Sequence, residues 1–299
     1  MQRITGILLI VISAASFGTL AIFGRLLYAD GLDTFTMLFL RFSVAASIMA
    51  VILMLRKEGF PRGKVLLQLI GMGALGYAGQ AFSFLSAVQY ASAGLVALLL
   101  YLYPMFVFVL SVIVLHEKVT WIKVLALLLA LLGTALTVDP AGGQLTGILL
   151  AILSAVIYSI YIIVGTNVMK YVSAVQSSLV IFASAAVVYG MLVAVSGAHF
   201  PRTSFGWLAI TGIVLVATVI PVTTFLAGLE RIGPTSASLL STLEPVVTVL
   251  LAGLLFGERL ATITVLGGSL ILVAVILLTR SEARPESPSP GKLTTEKIV

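Results

Sequence analysis

Residues 5–9, Thr5-Gly6-Ile7-Leu8-Leu9, recur as Thr146-Gly147-Ile148-Leu149-Leu150, an offset of 141. The reading of that repeat decides the fold. At the same offset Ser13 meets Ser154, Ala14 meets Ala155 and Gly24 meets Gly165. The register persists to the far end of each copy, where Phe84-Leu85 meets Phe225-Leu226, Leu98-Leu99 meets Leu239-Leu240, Pro104 meets Pro245 and Glu117-Lys118 meets Glu258-Arg259. No insertion is required. Apolar letters match readily by chance in such a sequence, so the proline and glutamate matches at one shared offset carry the weight.

The repeats are embedded in an apolar chain. Of 299 residues, 60% are hydrophobic and 9% charged, against about 25% charged in an ordinary soluble domain. A water-soluble enzyme is excluded. Once the polar stretch 280–299 is set aside, a helix of about 20 residues plus a turn fits about ten times into the remainder. Apolar runs between polar or Gly/Pro breaks fall near Ile4–Leu27, Thr34–Leu55, Val65–Val88, Ser92–Leu115 and Val119–Val138. The second five fall near Leu145–Met169, Ala174–Ser196, Gly206–Leu229, Thr235–Phe256 and Thr262–Thr279. These runs are apolar on every side, whereas barrel strands alternate over about ten residues. The expected fold class is therefore an all-α polytopic membrane protein with ten transmembrane helices.

Five spans per copy is an odd number, so the second copy enters the membrane from the opposite side. The expected architecture is two inverted five-helix repeats, 1–139 and 140–279, with 280–299 as a disordered cytoplasmic tail. Inverted repeats surround a pseudo-two-fold axis in the membrane plane, an architecture of alternating-access transporters with a midplane cavity. They also occur in channels, so the repeat speaks for conduction more strongly than for its kinetics.

The charge of +6 reads as orientation. With a cytoplasmic N-terminus the inner side collects Arg3, Arg56, Lys57, Arg62, Lys64, Lys118, Lys123, Lys170, Arg231 and the tail cations, against Arg25, Arg202 and Arg259 outside. By the positive-inside rule both termini face the cytoplasm, and no nucleic-acid partner is expected. The first run is too long for a signal peptide and is read as a retained helix. Trp121 and Trp207, near span ends, read as interfacial anchors. With no cysteine and only His116 and His199, neither a thiolate nor a histidine metal site can be assembled. No metal, cofactor or catalytic set is expected. Gly71-Met72-Gly73-Ala74-Leu75-Gly76 matches the dinucleotide fingerprint GxGxxG, but it lies in an apolar helix rather than after a strand.

Each copy has a fourth helix with a mid-span proline and a terminal acid, Leu102-Tyr103-Pro104 through Glu117 and Leu243-Glu244-Pro245 through Glu258. Phe39-Leu40-Arg41-Phe42 stands in the second helix. This pattern resembles the EamA family of the drug/metabolite transporter superfamily over essentially the whole chain before the tail. The resemblance implies export of small metabolites, commonly amino acids or related compounds, through the inner membrane of a prokaryote. It implies no particular substrate.

Arg41 and Glu244 are the charged residues well inside spans, where charge is expensive and faces a bundle interior or an aqueous path. Ser238, Ser241, Glu244 and Thr248 form one polar stripe. In one reading the stripe lines the cavity and Glu244 binds a substrate amine, a proton or both; in the other Glu244 satisfies backbone groups freed by the Pro245 kink. Arg41, about 10 Å into its span, either binds a substrate carboxylate or, in the favoured reading, snorkels outward or pairs with Asp33 or Glu244. Tyr77, Gln80 and Phe84 share one face of the third helix, and Ser154, Tyr158, Tyr161 and Gly165 share one face of the sixth. With Tyr101 they make a wall of aromatic and polar groups suited to a small-molecule site, set against ordinary helix packing. Pro104, Pro245, Glu117 and Glu258 are expected as structural or gating elements. The expected function is a secondary exporter with a lipid bilayer, a small-molecule substrate and protons as partners; the alternative is a passive channel or facilitator.

Overall fold

The computed structural model describes residues 2–91, 93–137, 144–256 and 261–283. Every regular element among the described residues is helical: α1 (Gln2–Phe17), α2 (Leu20–Ala29), α3 (Thr34–Leu55), α4 (Gly63–Gly71), α5 (Ala78–Val88), α6 (Ala93–Leu100) and α7 (Tyr103–Val114). They are followed by α8 (Trp121–Thr137), α9 (Leu145–Val168), α10 (Ala174–Ser196), α11 (Ser204–Val214), α12 (Ile220–Ser241), α13 (Leu243–Phe256) and α14 (Thr262–Ala283). Two π-helical turns, Met72–Tyr77 and Leu215–Val219, join α4 to α5 and α11 to α12.

Eight helical runs are long and apolar enough to cross a membrane, and two apolar helices, Trp121–Leu136 and Leu243–Leu255, are shorter. For the second of these, Leu243–Leu255, the difference from the expected ten has a local cause. The run Ser204–Ser241 has 38 residues, about 57 Å as one helix at 1.5 Å per residue, well beyond a hydrocarbon core of about 30 Å. Gly233, at φ 77 and ψ 169, interrupts it. That backbone region is open to glycine and costly for other residues, and Pro234 follows at once. Helical interruptions also separate α1 from α2, α6 from α7 and α12 from α13. Pro104 sits in the first turn of α7, where its missing N–H breaks no helical bond. α14 runs on to Ala283, into the stretch expected as tail; 284–299 lie outside the described residues.

The bundle carries apolar side chains both inside and outside. Phe42, Phe182, Tyr189, Met49, Ile162 and Leu226 are fully buried, while Leu55, Leu254 and Val195 are exposed, the last to 90%. Such an apolar outer belt suits lipid contact. α1 packs along α12, α5 along α9, α3 along α10, and α8 along α14. Individual contacts recur at the repeat offset. Ser13 Oγ donates to the Pro221 carbonyl at 2.8 Å, and Ser154 Oγ donates to the Gln80 carbonyl at 3.0 Å. A Cβ on Gly6 would lie 2.7 Å from Ile232 and 2.8 Å from Arg231, and one on Gly147 would lie 2.8 Å from Ala91 and 3.0 Å from Tyr90. In every case the partners differ by 141.

The α8–α14 contact is the tightest to backbone among these. A Cβ on Gly133 would meet the Gly267 carbonyl at 2.6 Å and the Ile271 nitrogen at 3.0 Å. Neither backbone atom can rotate away, so the helices must separate. We expect Gly133→Ala to lower unfolding stability by about 1–2 kcal/mol, an overpacking cost partly offset by the helix preference of alanine. Gly24→Ala, with nothing within 4 Å of its new Cβ, is expected to be neutral or stabilising. Thermal unfolding of both variants in one detergent measures the difference.

Candidate functional site

α3 begins at Asp33, whose Oδ1 accepts the backbone N–H groups of Phe35 at 2.9 Å and Thr36 at 3.0 Å. This N-cap fixes the helix start. Two turns further on, Arg41 is buried and turned into the bundle. Its Nε donates to Thr218 Oγ1 at 2.5 Å, and its Nη2 donates to Tyr77 Oη at 3.3 Å and to the Ala217 carbonyl at 3.1 Å. The guanidinium carbon lies 5.1 Å from the Phe42 ring centre, within cation–π range. The favoured sequence reading of an outward-snorkelling or Asp33-paired arginine is thus corrected: Asp33 is occupied by its cap and by His199, and the strongest acceptors for Arg41 lie inside. Those acceptors belong to the two π-helical turns. Tyr77 ends the first and Ala217 and Thr218 lie in the second, and Tyr77 and Thr218 are 141 apart.

From Tyr77 the aromatic rings continue in a row. Tyr77 and Tyr161 centroids are 5.9 Å apart, Tyr161 and Tyr158 5.9 Å, and Tyr158 and Tyr103 4.8 Å. In the other direction Tyr77 meets Phe42 edge-on at 5.3 Å, and Phe42 stacks on Tyr189 at 5.9 Å and Phe182 at 6.2 Å. Tyr103 is held at both ends. Its hydroxyl donates to the Ser238 carbonyl at 3.3 Å, and its carbonyl accepts Ser159 Oγ at 3.1 Å.

Glu244 stands in the first turn of α13, just after the interruption at Thr242. A carboxylate at a helix N-terminus faces the positive end of the helix dipole. Its charge interacts with Arg41 and with the phenols of Tyr77, Tyr101, Tyr103 and Tyr158. Yet its carboxylate accepts no hydrogen bond from any described residue. Thr248 Oγ1, one turn further along α13, donates to the Glu244 carbonyl at 3.1 Å and to the Gly18 carbonyl at 3.0 Å. Arg41 and Glu244 therefore share one electrostatic space without forming an ion pair.

The remaining expected site residues separate into groups. Tyr77, Tyr158 and Tyr161 join Arg41 and Glu244, and Tyr101 lies close enough for its hydroxyl to feel Glu244. Tyr101 also lines an apolar cavity of about 240 Å³ with Leu98, Leu102 and Leu131. Gln80 Nε2 donates to Ser154 Oγ at 3.2 Å, a clamp between α5 and α9. Phe84 packs in a smaller cluster with Ala87, Val96 and Ala151, apart from the tyrosine row. The hydroxyls of Ser241 and Thr248 are donated to carbonyls, Ser241 to Ala237 at 2.9 Å. Pro104 is buried and Pro245 adjoins Glu244. Glu117 binds Lys123 and Thr235; Glu258 lies outside the described residues. Sequence reasoning missed Tyr103 and Thr218 as site residues. Both were findable by applying the offset of 141 to chosen residues, since Tyr103 maps to Glu244 and Thr218 to Tyr77.

A second polar cluster ties the α2–α3 turn to the α10–α11 connection. Asp30 accepts Thr203 Oγ1 at 2.7 Å and the Arg202 N–H at 2.8 Å, while His199 Nδ1 lies 3.3 Å from Asp33 Oδ2. The Thr203 hydroxyl bond, above all, holds Asp30 below the ordinary carboxylate range. At Asp33 burial pushes upward, but the bonds from Thr36, Phe35 and His199 prevail and the pKa is lowered. A lowered carboxylate stabilises the fold above its unfolded pKa, about 3.9, and the contribution is lost as pH falls through the folded value. The melting-temperature gap between the wild type and Asp33→Asn should therefore be present above about pH 4 and close as the pH falls towards about 3.

The model of the EamA-like transporter family matches residues 4–139 and 145–280. An uncharacterized transporter of Archaeoglobus fulgidus is 30% identical over 275 residues, covering 91% of this chain and 95% of its own. The uncharacterized transporter YcbK of Bacillus subtilis is 23% identical over 282 residues, covering 89% and 90%. One solved crystal structure superposes with a TM-score of 0.80 over 94% of this chain and 99% of its own, at 21% identity, a likeness of fold.

Proposed function

Since the chain belongs to the EamA-like transporter family, and so is a multi-pass membrane transporter, we propose that it is a secondary transporter exporting small organic metabolites, amino acids or related compounds, by alternating access. The observation that carries this reading is a partly buried carboxylate inside a span, Glu244, to which no described residue donates a hydrogen bond, at a helix interruption and within electrostatic reach of Tyr77, Tyr101, Tyr103 and Tyr158. Charge inside a membrane protein is retained where it meets substrate, ion or partner, and Glu244 makes no hydrogen bond or ion pair with a described side chain. In the proposal Glu244 takes the substrate amine, the tyrosine faces take its apolar part, and Arg41 supplies positive potential towards its carboxylate. A proton would compete with the amine for Glu244, which couples export to a proton gradient.

The proposal includes ten spans as two inverted repeats, 1–139 and 140–279, with both termini on the cytoplasmic side of the inner membrane. The Ser13–Pro221 and Ser154–Gln80 bonds support it, because exchange of the two halves maps one onto the other. The interruption α6–α7 likewise maps onto α12–α13. Direction of transport follows the family resemblance.

Counterflow tests this reading against a passive pathway. Liposomes holding the purified protein and preloaded with an unlabelled amino acid should accelerate entry of the labelled one, and the rate should saturate. Flux that rises linearly with concentration, without acceleration from the opposite side, would mark a channel instead.

A further inference from the structure

The spacing of α8 gives it three faces. Ala126, Ala130 and Gly133, at i, i+4 and i+7, are buried, and Gly133 sets this face against α14. Leu128, Leu132 and Ala135, at the same spacing, are exposed and form an outward stripe. Between these faces Leu131 and Thr134 meet Leu98, Leu99 and Leu102 around the cavity of about 240 Å³ that Tyr101 also lines. Ala135 belongs to both surfaces, lining the cavity and lying exposed. The outward stripe thus carries leucine at 128 and 132 but only a methyl group at 135, and there the cavity opens to the outside of the bundle. Ala135 is fourteen residues beyond Trp121, the start of α8, about 21 Å at 1.5 Å per residue. In a hydrocarbon core of about 30 Å, that depth sets the mouth among acyl chains.

The lining suits hydrocarbon and not water. Thr134 Oγ1 donates to the Ala130 carbonyl at 2.8 Å, and the leucines offer no polar partner, whereas a buried water needs about 2–4. Left empty, such walls forgo dispersion contacts; an apolar cavity of about 150 Å³ lined by comparable side chains takes up a benzene ring. The repeat supplies a comparison. Leu98 and Leu99 correspond to Leu239 and Leu240, which are buried, while Leu98 and Leu99 themselves are only partly covered by protein. Ala135 corresponds to Ile276, a larger aliphatic side chain. We propose that the cavity is a binding site for one acyl chain of a membrane phospholipid, entering past Ala135 and lying against Leu98, Leu99 and Leu131. The chain is as apolar as the leucines it meets, so it passes from bilayer to cavity without a dehydration cost and gains their contacts. Seated there, it props the interruption between α6 and α7 at Tyr101 and Leu102, next to Tyr103 of the ring row.

Photolabelling tests the site with the full-length protein in vesicles of phosphatidylethanolamine and phosphatidylglycerol, to which a phosphatidylethanolamine with a diazirine on its acyl chain is added. Val187, exposed on α10 and thirteen residues from its start, gives a reference of similar depth for ordinary lipid contact. Adducts on residues 98–102 and 131–135 should outnumber those around Val187 severalfold. Ala135→Phe, which closes the mouth, should bring them down to the level at Val187. Leu128→Phe, on the same stripe but away from the cavity, should leave them unchanged. Cavity labelling equal to that at Val187 in the wild type would overturn the site, and so would an excess that Ala135→Phe leaves in place. Loss of the excess on adding the amino acids of the counterflow assay would assign the cavity to the transported solute and overturn the lipid.

Discussion

Glu244→Gln is expected to reduce saturable exchange by about 10–100-fold in reconstituted liposomes while the protein stays folded. Glutamine has nearly the same shape, so packing against Pro245 and the tyrosines is kept and only the charge is removed. A hydrogen bond to a charged group contributes about 1.5–3 kcal/mol, and each 1.4 kcal/mol is about tenfold in affinity. Because no described side chain donates to the Glu244 carboxylate, the variant should deprive no described donor of its acceptor, and its melting temperature should be near that of the wild type. An unchanged exchange rate would remove Glu244 from the transport path. A loss of exchange together with a collapse of stability would instead identify it as a structural group.

Arg41 is expected to behave in the opposite way, with its main effect on the fold. Its guanidinium bonds Thr218 at 2.5 Å, the Ala217 carbonyl at 3.1 Å and Tyr77 at 3.3 Å. Arg41→Leu leaves the carbonyl in a buried π-helical turn without a donor and frees the Tyr77 hydroxyl. The expected loss is about 2–4 kcal/mol, the range for disrupting a buried polar network. Arg41→Lys keeps the charge but lacks the planar fork that reaches three acceptors, so it should recover only part of the loss. Thermal unfolding of both variants, with Tyr77→Phe for comparison, separates the contributions. A melting temperature unchanged in Arg41→Leu would contradict the bonding described for α3.

Much of this architecture can be read from the amino acids. Hydropathy locates several of the helices to within a few residues: Ala174–Ser196 is expected and found, and Leu145–Met169 ends one residue earlier, at Val168, whereas Gly206–Leu229 and Thr235–Phe256 are found with their boundary moved, as Ser204–Ser241 and Leu243–Phe256. The repeat foretells which helix ends correspond. What hydropathy does not give is the inward face of each helix. A helix apolar all round has no polar stripe to point outward, so Phe84 and Tyr77, on one face by spacing, end in different clusters. Nor does it give the direction of Arg41. Inward or outward depends on acceptors at Ala217 and Thr218, far away in sequence and presented by a π-helical turn that no local propensity marks. The interruptions are half legible, since Pro104 and Pro245 signal two of them, while that between Phe17 and Leu20 carries no proline. Glu244 was legible because charge is so scarce here; that its carboxylate lacks a protein donor required the structure.

The central claim is that Glu244 lies in a space reached alternately from the two sides of the membrane. The most direct test uses Ser241→Cys, three residues before Glu244 and across the interruption between α12 and α13, in a chain without other thiols, in sealed vesicles of known orientation. A membrane-impermeant thiol reagent should label it from one side in the resting protein, and substrate supplied on that side should slow this labelling while raising labelling from the other side. Equal labelling from both sides at once would show an open channel, and no labelling from either side would show a sealed core; either result contradicts the account.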